Sequence, residues 1–127
     1  MSMEIENAKI TKASITMADH GCLTFWVYLE GYGWGCGFGG YCIGKGFLGG
    51  NDDEFTAEYG DGLVAMMRVM NVVGVEKWED LPGKYIRCKV GRGSEGVKEI
   101  GNIIKNKWFN IADFFQQKTE EHKHEQD

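Results

Sequence analysis

Hydrophobic and polar positions alternate most cleanly over residues 22–30. Leu23, Phe25, Val27 and Leu29 fall on one face, Thr24, Trp26 and Tyr28 on the other. A period of two predicts a strand, and the aliphatic face is the one to bury. The Ile- and Thr-rich run 8–17 predicts an earlier strand, set off by the turn residues Asp19, His20 and Gly21. Beyond residue 30, glycine recurs at 31, 33, 35, 37 and 39. A third strand here would carry bare backbone on one face and Tyr32, Trp34, Cys36 and Phe38 on the other. Interior glycine weakens a strand, so such a run implies close approach of something to its backbone. That something is a packed helix or neighbouring chain, or a flat ligand.

The period then changes. Leu63, Met66, Met67 and Met70 stand at i, i+3, i+4 and i+7, which predicts a helix over 61–73 with Gly74 as its C-terminal cap. Residues 43–60 read as a loop and 75–82 as a turn ending in Leu81 and Pro82. Strands are predicted over 84–90 and 97–105, joined by a turn at 91–96. Asn110 is a candidate N-cap for a last helix over 110–117, with Ile111, Phe114 and Phe115 on one face. The expected fold is one α+β domain over 1–117: an antiparallel sheet of about five or six strands with two short helices. A charged, disordered tail is expected at 118–127.

Composition narrows the function. A chain of 127 residues, 43% hydrophobic, has enough apolar surface for a core, which excludes global disorder. Its net charge of −5 argues against a broad grip on nucleic-acid backbone, so no long nucleic acid is expected. Any nucleotide should be small and held by a local pocket. No apolar run approaches the roughly 18–20 residues that span a bilayer, and no leader pattern is visible, so no membrane role is expected. Cys22, Cys36, Cys42 and Cys88 form no CxxC pair, His20 is isolated, and His122 and His124 sit in a charged run. Neither a metal nor another cofactor is therefore expected, and the cysteines read as reduced packing residues.

The glycine segment contains strings that resemble nucleotide motifs. Residues 35–40 and 44–49 fit GxGxxG, and 39–45 fit GxxxxGK. The first motif needs a βαβ unit, and the surroundings are hairpin-like. The second needs Ser or Thr next, and Gly46 stands there.

Binding candidates are chosen on physical grounds. Trp34, Phe38 and Tyr41 belong to an aromatic cluster suited either to stacking on a base or to a core or subunit interface. Arg87, which alternates with Tyr85 and Lys89, and Arg92 offer planar donors for phosphate, or belong to a solvated face. Asn102 stands between Ile100 and Ile104, where an apolar residue would fit. It could bond a base or ribose edge, or serve an internal hydrogen bond. No Ser/His/Asp or Cys/His grouping is evident, so no enzyme activity is expected.

The stretches ITMADHGCLTFW (15–26), GWGCGFGGYCIG (33–44), MMRVMNVVGVEKWEDLPGKYIR (66–87) and IGNIIKNKWFNI (100–111) together resemble the first family of phage Thoeris anti-defence sponges. The resemblance spans roughly 8–116. It implies a β-sheet domain with short helices that binds cyclic ADP-ribose immune signals in the host cytoplasm and holds them without degrading them. It also implies a homo-oligomer with pockets where subunits meet, some members holding cyclic oligonucleotides as well. No contact residue is carried over from it. The alternatives are an acidic phage inhibitor that occupies the basic channel of a CRISPR nuclease, and a small cyclic-nucleotide hydrolase.

Overall fold

The computed structural model describes residues 4–19, 22–45, 57–91 and 96–125. Strands β1 (Glu4–Asp19), β2 (Cys22–Gly31) and β3 (Trp34–Lys45) form a meander. Helix α1 (Ala57–Val73) and a 3-10 turn (Trp78–Asp80) follow. Then come β4 (Tyr85–Val90), β5 (Val97–Asn102), β6 (Trp108–Asn110) and helix α2 (Ile111–Glu125). All strand pairs are antiparallel, in the order β3-β2-β1-β4-β5-β6. No helix among the described residues is long and apolar enough to cross a membrane.

The expected α+β fold holds, and the alternation in β2 decides its inner face. Phe25, Val27 and Leu29 are buried there beside Ala8 and Ile10 of β1 and Ile86 and Cys88 of β4. The sheet curls until β3 meets β5 and α1, and its rings reach β6 and α2. A run of rings carries this closure. Phe38 of β3 meets Phe109 of β6 at 6.4 Å, Phe109 meets Phe114 of α2 at 5.5 Å, and Phe114 meets Phe115 at 5.2 Å. Phe115 then stacks at 4.6 Å on Tyr41, back on β3. Aromatic pairs at these separations add about 0.5–1.5 kcal/mol each beyond the area they bury.

Several boundaries differ from the sequence expectation. Gly31 ends β2, and Tyr32 and Gly33 (φ 77°) make a two-residue hairpin turn, so β3 starts only at Trp34. It then runs through Lys45, past the expected loop start. Helix α1 begins at Ala57, and its buried side is Ala65, Val69 and Val72. The predicted stripe turns inward only in part: Met66 packs against the core, while Leu63 and Met67 are 61% and 66% exposed. The methionine spacing marks a helix but cannot say which side turns inward. Gly74 (φ 94°) does cap it, its N–H and that of Val75 donating to the Met70 carbonyl at 2.8 and 3.0 Å.

Strand β5 stops at Asn102, short of 105, and a sixth strand follows. The Asn102 Oδ1 accepts the N–H groups of Ile104 and Lys105 at 3.0 and 2.8 Å, turning the chain. Asn110 caps α2 as expected, its Oδ1 accepting the Asp113 N–H at 3.0 Å. The expected disordered tail is instead helical through Glu125. Thr119 donates to the Phe115 carbonyl at 2.9 Å, and Lys118 pairs with Glu121 at 3.3 Å, so local interactions carry the helix onward.

Candidate functional site

Curling leaves a slot where the edge of β3 faces the start of β5, before β5 begins to pair with β6 at Glu99. The slot holds about 260 Å³. Its walls are the backbone of Gly37, Gly39 and Gly40 on one side and Val97 with Lys98 on the other. Trp26 and Tyr41 supply rings, and Ile111, the first residue of α2, lies at one end.

The glycines answer the question that their spacing raises. A Cβ on Gly37 would stand 2.7 Å from Trp26, and one on Gly40 would stand 2.4 Å from the same indole. Trp26 therefore lies flat across a strip that only glycine leaves open. Gly39 and Gly40 also take φ of 117° and 81°, which L side chains rarely adopt. The object that approaches the bare strand is a side chain of the neighbouring strand.

Among the described residues the slot carries a single basic side chain, the exposed Lys98, at its rim. The positive end of the α2 dipole lies at Ile111, with Asp113 in the first turn opposing it. Two wider clefts lie elsewhere. One, of about 380 Å³, is lined by Asn7, Lys9, Glu30, Tyr32 and Tyr85. The other, of about 460 Å³, is lined by Glu76, Glu79, Asp80 and Lys84 among others. Neither combines a bare backbone wall with half-buried rings.

Of the sequence-chosen residues that the structure describes, only Tyr41 lies at the slot. Phe38 is fully buried in the core and offers no ring face to a ligand. Trp34 also points inward. Its indole lies where a Gly31 side chain would stand, and its Nε1 donates to Glu6 Oε1 at 3.2 Å. Arg87 lies on the outer face of the sheet. Its Nε and Nη2 donate to the carbonyls of Asn102 and Lys105 at 2.7 and 2.9 Å, and its guanidinium sits 4.8 Å from the Trp108 ring centre. Asn102 donates to the Val72 carbonyl at 2.7 Å, so its amide serves internal hydrogen bonds. Arg92 lies outside the described residues.

Reading by sequence missed Trp26 and Lys98 as slot residues. Trp26 did leave a signal: a large ring on the polar face of β2, beside a glycine-faced strand. Lys98 left none, because its place follows from the curl alone.

Free thiols complete the inner chemistry. Burial pushes the Cys36 thiol up, partly offset by a backbone hydrogen bond with Val97. Burial, then the charges of Cys36 and Glu6, push Cys88 up to about 12. Both are protonated at neutral pH, hence poor nucleophiles. Among the described residues, no group of His, Cys, Asp and Glu is placed to hold a metal. No family model, curated protein or solved structure matches the chain.

Proposed function

We propose that this chain is a non-catalytic binding protein that sequesters a small cyclic nucleotide signal, of the cyclic ADP-ribose or cyclic oligonucleotide class. The observation that carries the reading is the slot: the glycine edge of β3, with the Trp26 indole laid over Gly37 and Gly40, Tyr41 as a second ring and Lys98 at the rim. A flat heterocycle can enter such a space, backbone groups can bond its edge, and Lys98 can meet a phosphate. The volume of about 260 Å³ is below the ~300–1,000 Å³ of usual small-molecule sites. The slot thus takes one ring of the ligand and leaves the sugar-phosphate outside, for a second subunit to cover. Together with the family resemblance, this supports an anti-defence sponge that acts as a homo-oligomer in the host cytoplasm.

The test is calorimetric titration with cyclic ADP-ribose isomers and cyclic oligonucleotides, followed by heat denaturation and chromatography of the released ligand. Binding with intact ligand recovered is expected. Stacking is worth roughly 1–3 kcal/mol per base, so Tyr41→Ala should weaken binding about five- to hundredfold. Absence of binding to every ligand overturns the reading, and recovery of a cleaved product makes the chain a hydrolase.

A further inference from the structure

We propose that the outer face of the sheet is a platform for single-stranded nucleic acid. Both helices pack on the inner side, so among the described residues no helix covers this face. Its charge differs from that of the chain as a whole. Lys9, Lys12, Arg87 and Lys89 stand here, against Glu30 and Glu99 among the described residues, in a protein of net charge −5. Lys89 is paired with Glu99 at 3.1 Å, and Arg87 is held by two carbonyls. Lys9 and Lys12 are both exposed, and Lys9 forms no ion pair with Glu30 although it stands opposite it.

Aromatic rings lie among these cations, and they lie flat. Trp26 rests on Gly37 and Gly40, and Tyr28 continues it at 6.0 Å with only 22° between the planes. Lys12 holds its ammonium 5.8 Å from the Tyr28 ring centre. Trp108 rests in the same way on Gly101, within reach of Arg87 and Lys89 at 4.8 and 4.9 Å. Flat rings beside cations are what an unpaired strand requires: bases stack on the rings and phosphates meet the cations. A duplex keeps its base faces covered and gains nothing from the rings. An acidic polypeptide would use the lysines and leave the Trp26–Tyr28 pair without a role.

Trp26 lines the slot as well, but Lys12 and Tyr28 do not, so variants at those two residues test this proposal apart from the slot reading. The experiment is fluorescence anisotropy of a labelled oligothymidylate of twelve nucleotides, titrated with the full chain at low salt. Saturable binding is expected. Phosphate contacts at Lys9 and Lys12 should give a slope of about −1.4 for log affinity against log salt, from ~0.7 per single-strand contact. Tyr28→Ala and Lys12→Glu should each weaken binding at least about fivefold, whereas Tyr41→Ala should leave it unchanged. No saturable binding by the wild-type chain overturns the proposal, as does binding that both outer-face variants retain. Equal competition by a duplex of the same length, or by polyglutamate, overturns it too. Small-ligand calorimetry on Tyr41→Ala tests the slot separately.

Discussion

The Asn102 side chain donates to the carbonyl of Val72 at 2.7 Å, tying the end of β5 to the last turn of α1. The same side chain accepts two N–H groups from the turn that leads to β6. One residue therefore fixes the helix against the sheet and the path of the next strand.

Removing that side chain orphans the Val72 carbonyl in a half-buried contact and frees two more-exposed N–H groups of the turn. Asn102→Ala is expected to cost about 1–3 kcal/mol, read as a lower urea midpoint. Arg87→Ala, which frees the carbonyls of Asn102 and Lys105, should couple with it. The double variant should be less destabilised than the sum of the two, because the residues share one turn.

Glycine requirements in β3 should differ sharply between neighbours. A Cβ on Gly37 would stand 2.7 Å from the Trp26 ring, while on Gly35 the nearest contact is the Leu29 carbonyl at 3.4 Å. Gly37→Ala is expected to cost about 1–3 kcal/mol as it lifts the indole from the strand, with a red shift in tryptophan emission. Gly35→Ala should fall within about ±0.5 kcal/mol of wild type, with unchanged emission.

Stability should fall at alkaline pH, and Cys88 accounts for part of the fall. Its thiol is raised from an ordinary 9.0 to about 12 in the folded chain, chiefly by burial. Between those values the unfolded chain has lost a proton that the native chain keeps, so stability falls as pH rises through that window. In Cys88→Ala this component is absent. Its curve of unfolding midpoint against pH is expected to be flatter than that of wild type from 9.0 to about 12.

Leu63 and Met67 tolerate charge if they lie outside the core, as their exposures of 61% and 66% indicate. The double substitution Leu63→Glu, Met67→Glu should shift stability by no more than about 0.5 kcal/mol per site, whereas Val69→Ala, fully buried, should cost roughly 1–3 kcal/mol. Under the proposed homo-oligomeric assembly, light scattering of wild type should exceed the 14.3 kDa of one chain. If α1 is the contact face, the double variant should return to that mass.

The sequence by itself determined both helices, five of the six strands and one face of the sheet. Alternation in β2 and the helical spacing after residue 61 are local periodicities, and backbone geometry converts them directly into a strand and a helix. Gly74 and Asn110 marked helix ends because capping depends on residues within one turn. The curl of the sheet is different. It arises when rings from β3, β6 and α2 meet, and no local pattern encodes which distant rings will touch. That curl brought Lys98 to the glycine wall, sent Phe38 into the core, and turned Leu63 and Met67 outward. Charge followed the same rule. A net −5 is read from composition, but the gathering of Lys9, Lys12 and Arg87 on one face depends on the register of β1 with β2 and β4. Periodicity fixes what each residue's neighbours in sequence do, and only long-range packing decides which surfaces face each other across space.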